Sequence, residues 1–155
     1  MRLLFLFVVA LISPMLTSAN TLSIEGNGEV HTLTIAELQA MPETSYITPL
    51  PWTKGESKFT GVRLSYLLQN TIGAIPEKVS LRALNDYAAV IIKSDIQQYE
   101  PIIAYLRDGE TMRIRDKGPY WLIYSLAKHP ELDTPKYQGQ MVWQLESIKV
   151  LDDDK

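Results

Sequence analysis

Short β-type segments separated by turn residues dominate this sequence. Residues 21–25 and 30–33 alternate apolar and polar side chains on either side of Gly26-Asn27-Gly28, which is the pattern of a β-hairpin. Asn85-Asp86 joins two further β-rich runs, and Asp108-Gly109 joins another pair. The final strands lie within residues 141–151, where a change in the parity of the apolar positions predicts a bulge near Glu146-Ser147. The pattern therefore favours a strand-dominated α+β fold.

Two stretches predict short helices, and the fold should hold two or three in all. Thr34 stands three residues before Glu37, the spacing of a capping box, so a helix should run through residues 38–40 and stop before Pro42. Apolar residues at helical spacing from Val62 to Ile72 end at Gly73, a natural terminator. Ser94-Asp95 is interpreted as a short turn.

Composition excludes several classes of site. The chain has 155 residues, enough for one domain, and it contains no cysteine, which rules out disulfides, thiolate nucleophiles and thiolate-bound zinc or iron–sulfur clusters. The two histidines, His31 and His129, are too few and too far apart for a histidine metal site, whereas the count leaves carboxylate-rich sites open. With no cysteine either, we expect no bound molybdenum, zinc or iron and assign no metal. A net charge of −3 offers no basic surface for nucleic acid.

The first 19 residues have the character of a secretory signal. Arg2 precedes a short apolar run, residues 3–12, and Thr17-Ser18-Ala19 supplies the small residues that a signal peptidase requires. The run is about half the length of a membrane-spanning helix. We therefore predict cleavage after Ala19, a periplasmic location and a single domain over residues 20–155; an uncleaved anchor is the alternative.

Candidate binding residues are concentrated in loops. Trp52 stands in a proline-flanked loop, Asn85-Asp86-Tyr87 separates two strands, and Arg115-Asp116-Lys117 precedes a strand that contains Trp121. Aromatic rings beside polar loops suit a flat polar ligand. Each feature also has a structural interpretation: Trp52 can pin its loop, Trp121 and Trp143 can belong to the core, Asp86 can be a turn residue, and Arg115 and Asp116 can form a solvated pair. No serine or histidine stands in a catalytic context, so no catalytic residue is assigned.

Several runs together resemble the molybdopterin-binding domain of the sulfite oxidase family. The resemblance covers about residues 45–150 and consists of several short matching runs. Each run is weak alone, but the order and spacing of the runs together are fairly specific. The matching runs are residues 59–68 (FTGVRLSYLL), 83–87 (ALNDY), 94–95 (SD), 103–104 (IA), 108–110 (DGE), 117–119 (KGP) and 120–124 (YWLIY). The resemblance implies a mixed α+β fold, in agreement with the strand pattern.

The resemblance also implies what this chain lacks. Molybdenum enzymes of the family bind the metal through a cysteine in the loop that matches residues 46–58, and that loop has none here. The chain is similar instead to small periplasmic members that bind a free pterin and act as ligand-responsive partners of inner-membrane diguanylate cyclase/phosphodiesterase proteins. A non-catalytic pterin-binding regulator of cyclic-di-GMP is thus expected. The alternatives are a molybdopterin-type oxidoreductase without a protein thiolate, and a structural domain with a vestigial pocket.

A pterin suits the loop residues named above. One carboxylate, Asp86 or Asp116, can accept both the ring N–H and the exocyclic amine of the pyrimidine edge. Arg115 or Lys117 can donate to the 4-oxo group. Trp52 or Trp121 can stack on the ring, and Asn85 and Tyr87 complete the predicted ligand-binding set.

Overall fold

The computed structural model describes residues 20–152, so the predicted signal segment and residues 153–155 lie outside the described part. Within it, strands outnumber helices, and the predicted strand-dominated α+β class is confirmed. The strands are β1 (Thr21–Gly26), β2 (Glu29–Thr34), β3 (Thr44–Pro49), β4 (Glu56–Arg63), β5 (Lys78–Ala83), β6 (Ala88–Ile92), β7 (Ile102–Arg107), β8 (Glu110–Thr111), β9 (Trp121–Ile123) and β10 (Leu145–Val150). The helices are α1 (Ile35–Gln39), α2 (Leu64–Ile72), α3 (Lys93–Tyr99) and α4 (Pro135–Gln140), with 3₁₀ turns at Ile114–Asp116 and Pro130–Leu132.

The first sheet has the order β2-β1-β10-β5-β6. β1 and β2 form the predicted hairpin, and β10 pairs in parallel with β1 and antiparallel with β5. The β10–β5 register shifts between Leu145 and Ser147, which confirms the predicted bulge. The extra residue lets both Leu145 and Ile148 enter the core, where neither is exposed.

The second sheet has the order β3-β4-β7-β8, and β9 pairs with β7. Its strands supply bulky core side chains, among them Phe59, Tyr105 and Trp121, all at most 1% exposed. β4 approaches β7 unusually closely at Gly61, where a Cβ atom would lie 1.9 Å from the carbonyl oxygen of Ile103. The pairing register shifts beside this glycine.

Both predicted helices are present with shifted bounds: α1 begins earlier and ends at Gln39, and α2 begins at Leu64 because Val62 belongs to β4. Thr34 Oγ1 accepts from the Glu37 backbone N–H at 3.3 Å, and the Glu37 carboxylate accepts from the Thr34 backbone N–H at 2.7 Å, so the capping box of α1 is complete. These bonds from Thr34 lower the pKa of the Glu37 carboxyl. α2 ends at Gly73, whose φ of 79° is left-handed.

Two helices were not predicted. Ser94-Asp95 belongs to α3 rather than to a short turn; α3 begins directly after β6 without a side-chain cap. α4 likewise has no side-chain cap hydrogen bond at Thr134. Both are too short to be stable alone and depend on tertiary contacts, which leave little local signal in the sequence. None of the helices within residues 20–152 is long and apolar enough to cross a membrane.

We expect Thr34→Ala to lower the free energy of unfolding by about 1 kcal/mol, because the variant loses the side-chain cap of α1. Urea denaturation measures the change, and Thr32→Ala on the exposed side of β2 is the control. Equal stability of Thr34→Ala and the parent would show that the capping box contributes nothing to the fold.

Candidate functional site

A cleft of about 390 Å³ opens where the β5–β6 turn, α4 and the segment before β10 meet the Trp52 loop. Its volume lies in the range of small-molecule sites. The lining residues come from three separate stretches of the chain and share one property, that none carries a formal charge. They are Trp52, Ala83, Asn85, Tyr87, Pro135, Gln138, Gly139, Met141, Val142 and Trp143.

Two half-buried tryptophans line the cleft together with a third aromatic residue, Tyr87. The ring centroids of Trp52 and Trp143 lie 5.2 Å apart, with the planes at 73°. Trp121 lies 6.2 Å from each of them but is fully buried, and its indole N–H donates to the Met141 carbonyl at 3.1 Å. Trp121 thus supports the two lining rings from the core.

Lys117 is held against this aromatic group. Its Nζ lies 3.8 Å from the centroid of the Trp143 ring and 5.9 Å from that of Trp121. A cation over an indole is worth ~0.5–1 kcal/mol at a solvent-exposed position, and more when desolvated. Lys117 is not among the lining residues, so its contact here is with Trp143 rather than with the cleft itself.

Polar groups of the cleft favour hydrogen-bond donation to a ligand. Within residues 20–152, no hydrogen bond occupies the indole N–H of Trp52 or Trp143 or the side-chain N–H₂ of Asn85, whereas Asn85 Oδ1 accepts from the Tyr87 backbone N–H at 3.2 Å. In the same part of the chain, Thr71 Oγ1 is the one buried side-chain polar atom without a partner, so both indole N–H groups reach solvent. The amide of Gln138 donates to Asp133 at 2.8 Å, which leaves its oxygen as an acceptor.

Three of the predicted site residues meet in this cleft: Trp52, Asn85 and Tyr87. Asp86, between the last two, is outside the lining. Its φ of 70° makes it a turn residue, its side chain is 76% exposed, and its carboxylate accepts from the Arg82 guanidinium. The backbone of Asp86 therefore has the turn conformation that the sequence offered as its structural interpretation.

The charged loop lies outside the cleft lining. Asp116 accepts from Arg113 Nε at 2.6 Å, and Arg115 is exposed on the same 3₁₀ turn. Arg115, Asp116, Lys117 and Trp121 are thus absent from the surface that Trp52, Asn85 and Tyr87 share. Their roles in ligand binding stay predictions, and the geometry gives them no direct place in this cleft.

Sequence reasoning missed Trp143 and the residues of α4 as site residues. Trp143 follows two buried apolar residues, Met141 and Val142, so its position pointed to the core. The sequence pattern placed Trp143 on a strand, in phase with Leu145, whereas β10 begins only at Leu145 and leaves the Trp143 ring half exposed. Pro135, Gln138 and Gly139 gave no signal, since nothing local in the sequence indicates which face α4 turns toward the β5–β6 turn.

Comparison with known proteins supports the fold. No protein-family model matches the chain, and no curated protein matches it. Among solved structures, the sulfane dehydrogenase SoxCD from Paracoccus pantotrophus is similar with a TM-score of 0.63 and 17% identity. The match covers 86% of this chain but only 38% of that chain. The likeness shows a distant fold relationship and agrees with the sulfite oxidase-like fold expected from the sequence.

The donor set does not fit a metal centre of the kind that the fold family implies. The chain has no cysteine to supply a thiolate. Residues 20–152 also contain no group of three or more His, Asp or Glu side chains placed to hold a metal ion. Soft thiolate ligation of molybdenum is therefore not available to this protein.

Proposed function

We propose that this chain is a periplasmic, non-catalytic protein that binds a free pterin in the cleft of Trp52 and Trp143. The observation that carries the proposal is the uncharged, donor-rich aromatic cleft. The predicted export signal supports the proposed compartment, and the family resemblance supports the ligand class. The lining contains no carboxylate, histidine or thiol that could act as a base or nucleophile, and its one hydroxyl, on Tyr87, donates to the Gly139 carbonyl at 2.6 Å.

A pterin offers groups that can pair with the aromatic rings and the hydrogen-bonding groups of this cleft. Its flat bicyclic ring can contact the indoles of Trp52 and Trp143, which supply affinity without needing charge. Its 4-oxo group and ring nitrogens are acceptors for the indole N–H groups and the Asn85 amide. The donors of its pyrimidine edge can meet the side-chain oxygen of Gln138.

This assignment differs from the carboxylate scheme considered for the sequence. Neutral donors and acceptors replace Asp86 and Asp116, which lie outside the lining. Because no ion pair would form, the affinity should change little with ionic strength. Trp52, Asn85 and Tyr87 keep their proposed place in the site, and Trp143 and Gln138 join them.

A thermal-shift titration with neopterin, a free pterin with a short hydroxylated side chain, tests the proposal. The Tm of the chain from Asn20 onward should rise with the logarithm of neopterin concentration, as expected for a ligand that binds only the folded state. An unchanged Tm up to millimolar neopterin, together with no heat in isothermal titration, would contradict pterin binding.

We expect Asp86→Asn and Asp116→Asn to bind neopterin within about twofold of the parent, because neither carboxylate lines the cleft. Asparagine also tolerates the left-handed φ of residue 86, so the turn should be kept. Isothermal titration gives the dissociation constants. A loss of about tenfold or more in one variant alone would identify that carboxylate as the reader of the pyrimidine edge.

The proposed partner is the periplasmic region of an inner-membrane cyclic-di-GMP enzyme. A non-catalytic binding protein acts only if its partner distinguishes the loaded from the empty form. The proposed contact surface is formed by residues 52–58, which are a loop followed by the start of β4, and by residues 115–118. Isothermal titration of that partner region should give different affinities for the pterin-loaded and pterin-free protein, and equal affinities would remove the regulatory role.

A further inference from the structure

α4 forms one wall of the cleft through Pro135, Gln138 and Gly139, yet it is only six residues long. A helix of this length has no independent stability in water, and its first residue lacks a side-chain cap. Its position therefore depends on tertiary contacts, which include the packing of the Tyr137 ring against Tyr99 and Tyr124 and a set of polar bonds. The polar bonds are directional and partly buried, so they specify one position of the helix more strictly than apolar packing does.

The buried side chain of Gln140, the last residue of α4, makes two hydrogen bonds, one buried and one partly buried. Its side chain is 7% exposed; Nε2 donates to the Val90 carbonyl on β6 at 3.0 Å, and Oε1 accepts from the Tyr124 hydroxyl at 2.7 Å. Tyr124 is fully buried, and burial raises the pKa of its hydroxyl, so the group stays protonated and remains a donor. One amide thus joins α4 to the first sheet and to the core.

A second set of bonds holds the beginning of α4. Asp95 of α3, whose side chain is 8% exposed, lies 3.1 Å from Lys136 Nζ and accepts from the Tyr137 hydroxyl at 3.4 Å. Near the end of α4, the hydroxyl of the cleft-lining Tyr87 donates to the Gly139 carbonyl at 2.6 Å and so bonds the helix to the β5–β6 turn. The helix is therefore bonded to α3 at its beginning, and near its end to the β5–β6 turn through Gly139 and to strand β6 through Gln140.

We propose that Gln140, bonded to Tyr124 and Val90, is a positioning residue that sets the separation between α4 and the β5–β6 turn and thereby the width of the cleft. The identity of the ligand in this proposal rests on the proposed function. The role of Gln140 in positioning α4 does not depend on it. Neither Gln140 nor Tyr124 lines the cleft, so both act on a ligand only through the wall.

The test compares Tyr124→Phe and Gln140→Met with Tyr120→Phe. Tyr124→Phe removes one bond to Gln140, whereas Gln140→Met removes both bonds at similar side-chain volume. Tyr120 is the matched control because it is also fully buried and donates one hydrogen bond, at 2.8 Å, to the Asn20 carbonyl and not to α4. Neopterin affinity by isothermal titration and amide hydrogen exchange of residues 135–143 are the two measurements.

We expect Tyr124→Phe to weaken neopterin binding by about fivefold and Gln140→Met by more, with faster exchange over residues 135–143 in both. Tyr120→Phe should lower Tm comparably but leave both measurements within about twofold of the parent. Unchanged exchange over residues 135–143 in both α4 variants, or an equal effect of Tyr120→Phe, would overturn the proposal. A parent that binds no neopterin contradicts the proposed function alone, and hydrogen exchange then decides the role of Gln140.

Discussion

Trp143→Ala is expected to weaken neopterin binding by about 30-fold or more. The variant removes a ring that lines the cleft, the edge contact with Trp52 at 5.2 Å and an indole N–H that has no partner among residues 20–152. Truncating a central aromatic anchor costs about 2 kcal/mol or more, and each 1.4 kcal/mol corresponds to about tenfold in affinity. Isothermal titration with neopterin measures the loss.

Two further variants separate the causes of this loss. Trp143→Phe keeps a ring in the cleft but lacks the N–H donor, so it should bind more weakly than the parent and more tightly than Trp143→Ala. Tyr66→Ala removes an exposed aromatic side chain from a separate groove, lined also by Arg63 and Gln69, and should leave the affinity unchanged. If Tyr66→Ala reduced binding and Trp143→Ala did not, the ligand site would lie in that other groove.

Gly61→Ala is expected to destabilise the protein by about 3 kcal/mol, the upper end of the usual cost of overpacking. The added Cβ would lie 1.9 Å from the Ile103 carbonyl oxygen, and backbone atoms of a paired strand cannot move aside as a flexible side chain can. The second sheet would have to separate at β4 and β7. Chemical denaturation of the two proteins gives the difference in unfolding free energy.

Gly109→Ala is the matched control for this prediction. Its φ of 82° disfavours alanine, but no atom lies within 4 Å of the added Cβ, so only the backbone term of about 1 kcal/mol applies. Equal losses for Gly61→Ala and Gly109→Ala would show that β4 and β7 can move apart without cost.

The fold was predictable from the sequence where local chemistry decides it. The β1–β2 hairpin, the capping box of Thr34 and Glu37, and the bulge after Leu145 all depend on residues close to one another in the chain. α3 and α4 were not predictable in this way. They are short and uncapped, and long-range contacts such as Asp95 with Lys136 hold them in place.

Part of the candidate site was also predictable, because some of its residues give a local signal in the sequence. Trp52, Asn85 and Tyr87 were identified because polar loops around aromatic rings are visible in the sequence, and they do meet in one cleft. Trp143 was obscured by the buried residues before it. The side chain of Asp86 pairs with Arg82, four residues earlier on β5, and no sequence pattern distinguishes that ion pair from a ligand contact.

The indole N–H signals of the three tryptophans provide the most direct test of the cleft as a pterin site. In a titration of ¹⁵N-labelled protein with neopterin, the signals of Trp52 and Trp143 should shift together with the side-chain amide of Asn85. The signal of Trp121, already bonded to Met141 and fully buried, should shift much less. Unchanged signals for Trp52, Trp143 and Asn85 at millimolar neopterin, or shifts confined to the groove around Tyr66, would contradict the account.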